Sequence, residues 1–109
     1  MNDYIIPIML QAELGNRVNA LCVKKLPGSA FRYFADARGK FVYLGWVLPG
    51  LNSVRLGRLT YEGNLERMEF AIFKFSKGKY DPKDRSFRGA HLLDGTIEGA
   101  INALIETYP

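Results

Sequence analysis

The chain has 109 residues and a mass of 12.3 kDa, the length of one domain, and can bury roughly two-thirds of the surface its unfolded form exposes. Apolar residues make up 48% and charged residues 24%, which speaks against a disordered or fibrous chain, and a single cysteine, Cys22, excludes an internal disulfide. The net charge of +4 and the pI of about 9.3 give a sequence-blind attraction for polyanions.

The opening MNDYIIPIML has no basic n-region and carries Asp3 and Pro7, so no secretory leader is expected. With the free thiol, this predicts a cytoplasmic protein. No run reaches the ~18 apolar residues of a membrane span, so no membrane partner is expected.

The first predicted element is a helix over about 7–25. Pro7 suits a first helical turn, where its missing N–H costs nothing. Leu10, Leu14, Val18 and Leu21 share one helical face, and Pro27-Gly28 ends it. Gly15-Asn16 interrupts the pattern and allows two pieces. From Ser29 the period becomes two. Strands are predicted over about 29–36 and 40–48, with Gly39 in the turn between them. A loop from Leu48 to Ser53 leads to a strand over about 54–62. Its apolar register shifts from Val54 and Leu56 to Leu59 and Tyr61, which predicts a bulge at Gly57. Gly63-Asn64 turns the chain into a fourth strand, about 66–76, followed by a loop over 77–93. The last element is a helix over about 95–107, capped by Asp94 or Thr96. Together these predict a single α+β domain over 1–109, a four-stranded antiparallel meander flanked by an N-terminal and a C-terminal helix.

Two strands are apolar on both faces. In MEFAIFKFS, Met68, Phe70 and Ile72 share one face, and Ala71, Phe73 and Phe75 the other. FVYLGWVL behaves alike, with Phe41, Tyr43 and Val47 opposed to Val42, Leu44, Trp46 and Leu48. Such strands are covered on both sides, by one helix on each face or by a second chain. This favours a non-enzymatic binding module that self-associates, as a dimer. The alternative is single-stranded nucleic-acid binding through a basic loop and an aromatic sheet face. Phe31, Tyr33, Phe41, Tyr43, Phe73 and Phe75 would supply rings, and Arg32, Arg38, Lys40 and Lys74 charge. Another anionic partner would fit the same residues.

A small enzyme is the third reading. His91 is the only histidine, so any imidazole metal site or catalytic triad would have to rest on it. Cys22 reads as a small core residue. The acid-x-lysine element of metal-dependent nucleases occurs only as Asp81-Pro82-Lys83, where Pro82 breaks the strand it needs. No phosphate-binding glycine loop is present. Neither a metal nor a cofactor is expected.

The segments RLTYEGNLERMEFAIFKFSKGKYDP and DGTIEGAINALIETYP carry a pattern of their own. It runs Arg-Leu-x-Tyr-x-Gly, Glu-Phe-Ala-x-x-Lys-x-Ser and Lys-Tyr, then Gly-Thr-x-Glu-Gly at a helix start. This resembles a group of small bacterial proteins with no assigned activity. The resemblance covers about the last half of the chain and implies a bacterial cytoplasmic origin. Each piece has a structural explanation: Gly63 for a turn, Thr96 for a cap, Lys74 and Ser76 at a strand exit. The run from Lys74 to Arg88 holds six basic side chains against two acids. The candidate binding residues are therefore Arg58, Lys74, Lys79, Tyr80, Arg85 and Arg88, with His91 nearby.

Overall fold

Pro7 opens the first helix, its carbonyl accepting the N–H groups of Leu10 and Gln11 at 3.0 Å. In the computed structural model, which describes residues 5–28, 32–47, 50 and 52–108, this helix, α1, runs Ile8–Lys25 without a break at Gly15. Leu14, Val18 and Cys22 form its buried stripe, flanked by the partly buried Leu10 and Leu21. The sequence positions 29–31, 48, 49, 51 and 109 used above, including Phe31, lie outside the described residues, as do 1–4.

The strands are β1 (Arg32–Arg38), β2 (Phe41–Val47), β3 (Val54–Thr60), β4 (Glu69–Lys74) and β5 (Lys79–Asp81). They lie side by side in chain order, every neighbouring pair antiparallel. The α+β meander is thus as expected, with five described strands instead of four. The extra strand lies within the stretch predicted as loop 77–93, along with a 3-10 turn at Ala90–Leu92. Gly78, at φ 65°, closes the β4–β5 hairpin, and its N–H and that of Lys77 donate to Lys74 O at 2.7 and 3.0 Å. A three-residue strand is too short to show a period of two.

The fourth strand begins at Glu69, later than predicted, because Met68 N–H donates to Gly95 O at 2.8 Å instead of joining the ladder. That bond ties the β3–β4 connection to the start of α2 (Ile97–Thr107). Thr96 caps α2 by accepting from Gly99 N–H at 3.0 Å, and Asp94 in turn accepts from Thr96 N–H.

Both helices pack on the same sheet face. Leu14, Val18 and Cys22 of α1 and Ile97, Ile101 and Leu104 of α2 share one core with Tyr33, Val42, Leu44, Leu59, Phe70 and Ile72. The arrangement with one helix on each face is therefore not the one adopted. Between β2 and β3 the register shifts, Leu44 facing Gly57 and Gly45 facing Arg55. Leu56 is the extra residue of this bulge and is buried in the core. The Phe70 ring lies against Gly57, where a Cβ would come within 2.6 Å of it. Phe87, from the segment after β5, meets Phe70 at 5.7 Å between ring centroids.

Candidate functional site

Strand alternation sends every second side chain to the helix-free face. There Asp36, Tyr43, Arg58 and Ala71 stand in one cross-strand row, and Arg38, Phe41, Thr60 and Glu69 in the next. Phe73 of β4 faces Tyr80 of β5. The rings form a continuous array: Phe41–Tyr43 at 6.1 Å, Tyr43–Tyr80 at 5.8 Å, Tyr80–Phe73 at 5.0 Å and Phe73–Phe75 at 4.9 Å. All are tilted or edge-on, the geometry that ring quadrupoles favour.

Arginines lie on this array. The Arg58 guanidinium is 4.3 Å from the Phe41 centroid and 4.8 Å from that of Tyr80, and Arg55 is 4.2 Å from Tyr43. Lys40 Nζ reaches Phe41 at 5.3 Å. Arg58 Nε is buried and makes no hydrogen bond, so ring faces are what this part of the cation meets. Asp36 accepts from Arg38 at 2.8 Å and pairs with Arg55 at 3.5 Å. The carboxylate raises the Arg38 pKa. Burial raises the Tyr80 hydroxyl pKa, and the nearby Arg55 and Arg58 oppose that rise. The result is a surface of rings and planar cations over which none of the described helices lies.

Of the candidate binding residues named from the sequence, Arg58 and Tyr80 meet on this face. The others do not join them. Lys74 and Lys79 are register partners turned to the helix side, and Lys74 pairs with Asp84. That contact, with two hydrogen bonds from Ser86, holds the Asp84 carboxyl well below the usual carboxylate range. Arg85 donates to Phe70 O at 3.1 Å, capping the edge of β4 where β5 has ended. Arg88 pairs with Glu106 of α2 at 3.5 Å, and His91 is exposed in the 3-10 turn. Tyr33, counted among possible platform rings, is buried in the helix-side core.

Arg55 and Asp36 escaped the sequence reading. The signal for Arg55 was present in the bulge, which puts it on the same face as Arg58. Among the described residues no three His, Cys, Asp or Glu side chains come together as metal ligands, and no helix is long and apolar enough to cross a membrane. Cys22 is buried, its Sγ 3.7 Å from Tyr33 O. No family model, curated protein or solved structure matches this chain, so the chemistry of this face is the ground for reading its function.

Proposed function

We propose that the protein is a non-enzymatic binding module whose helix-free sheet face takes single-stranded nucleic acid. The observation that carries this is the Arg58 guanidinium over Phe41 and Tyr80 within a five-ring array. Rings stack on bases of any identity, guanidinium planes do the same, and arginine charge meets phosphate. The basic segment after β4 contributes little to this face, since Lys74, Arg85 and Arg88 are engaged elsewhere.

Self-association through the same face is the competing reading, and charge disfavours it. A two-fold interface would bring the Arg38, Arg55 and Arg58 surfaces of two protomers together, with Asp36 and Glu69 as the strand acids on that side among the described residues. The test is fluorescence anisotropy of a labelled oligothymidylate of about twelve nucleotides, with the protein's mass followed by light scattering. Micromolar binding that weakens steeply between about 50 and about 200 mM salt is expected, on a monomer of 12.3 kDa. A dimer in which the Arg58→Ala variant becomes monomeric, with no oligonucleotide bound at low salt, would replace this reading with self-association.

A further inference from the structure

At one end of the ring array the face deepens into a groove lined by Ser53, Val54, Arg55, Phe73, Phe75 and Tyr80. Phe75 leaves the end of β4 with 58% of its surface exposed, the most exposed aromatic among the described residues. It meets Phe73 in a T-shaped contact, at 85°, which takes at most one of its two faces. Cations already lie on Phe41, Tyr43 and Tyr80; among the described residues none lies on Phe75. Across the groove stands Arg55, its side chain 45% exposed and its guanidinium only loosely paired with Asp36 at 3.5 Å.

We propose that this groove holds one unpaired nucleotide, its base stacked on Phe75 and its phosphate drawn to Arg55. The proposal rests on the platform reading and names within it the place where the strand is anchored. A ring with a free face and a cation across a groove match a base joined to a phosphate. The base must be out of a duplex, since a paired and stacked base offers no free face to Phe75. The groove therefore selects single strands over double strands. Ser53 and the Tyr80 hydroxyl supply hydrogen-bonding groups that any base edge can use.

The test compares variants on the labelled oligothymidylate and on a strand of the same length made wholly of abasic sites. Phe75→Ala is expected to weaken oligothymidylate binding about tenfold, to leave abasic-strand binding as it was, and to keep the salt slope. Phe75→Trp is expected to restore the affinity. Arg55→Ala is expected to weaken both strands and to reduce the salt slope by about one. Phe75 is exposed, so its variants should melt with the wild type, and circular dichroism checks this. Wild-type affinity in Phe75→Ala, alongside weakened binding in Arg58→Ala, would overturn the groove and leave the platform standing. Failure of the wild-type protein to bind either strand would overturn both.

Discussion

Arg17 of α1 and Glu98 of α2 meet as a fork, Nε to Oε2 at 2.7 Å and Nη2 to Oε1 at 2.5 Å. The same guanidinium reaches Glu66 of the β3–β4 connection at 3.0 Å and Glu13 at 3.3 Å. One side chain thus joins both helices to the sheet's longest connection on the core side. Arg17 holds the Glu98 carboxyl below its ordinary range. A depressed carboxyl pKa stabilises the fold above the unfolded value and loses that effect as pH falls through the folded value. Urea unfolding from neutral pH to below about 4 should therefore show a steeper acid loss in wild type than in Glu98→Gln. The difference should be modest, about 0.5–1 kcal/mol, because the pair is partly solvated. Parallel curves would mean that the fork adds nothing to the helix packing.

Gly57 and Phe70 should behave as one unit. A Cβ at position 57 would press on the Phe70 ring, a buried side chain that also contacts the Phe87 ring. Gly57→Ala is expected to cost about 1–3 kcal/mol by overpacking, and Phe70→Ala about 3–5 kcal/mol by leaving a cavity. In the double variant the new methyl enters the emptied space, so its loss should fall short of the sum. Chemical denaturation of the four proteins measures the coupling, and strict additivity would contradict the packing described.

Asp36 pairs with two arginines, Arg38 and Arg55, and would compete for them with the phosphates of the proposed ligand. Asp36→Asn should free both and strengthen oligonucleotide binding by a few-fold at low salt, with a steeper salt dependence. Weaker binding would show instead that the carboxylate orients the arginines productively. Anisotropy titrations at several salt concentrations separate the two outcomes.

Charge alone should not account for binding. Arg58→Lys keeps the cation and loses the plane that lies on Phe41 and Tyr80, so affinity should drop while the salt slope persists. Lys79→Ala with Arg88→Ala removes two cations that face away from the array, and should leave the affinity within about twofold. An equal loss in both proteins would point to a diffuse electrostatic contact.

Much of the sheet was legible in the chain because its alternation is strong. Phe41 and Tyr43 opposed to Val42 and Leu44, and Phe73 opposed to Phe70 and Ile72, stand on the faces that the spacing predicts. That both helices would cover one face was not legible, since helix placement depends on packing between elements remote in sequence. The basic run from Lys74 to Arg88 looked like one surface because its charges are neighbours along the chain. The hairpin and its ion pairs distribute them: Lys74 to Asp84, Arg85 to the β4 edge, Arg88 to α2. Arg55 was missed for the opposite reason. Its neighbours on the face come from other strands, and its distance from Arg58 in the chain suggests the wrong side.

That last point follows from Leu56. In an unbroken strand, residues three apart point in opposite directions. The bulge shifts the phase of the strand between Arg55 and Arg58, so both arginines leave by the same side. Removing Leu56 would take out the extra residue and leave the formal charge at +4, with Arg55 and Arg58 then two apart in an unbroken strand and still on one side. Straight pairing with Leu56 kept would instead turn one of the two guanidiniums toward the core. Two chains alike in isoelectric point, one bulged and one paired straight through, would then differ in whether they can present paired cations to a ligand, and the difference would lie in how a buried, uncharged residue is accommodated.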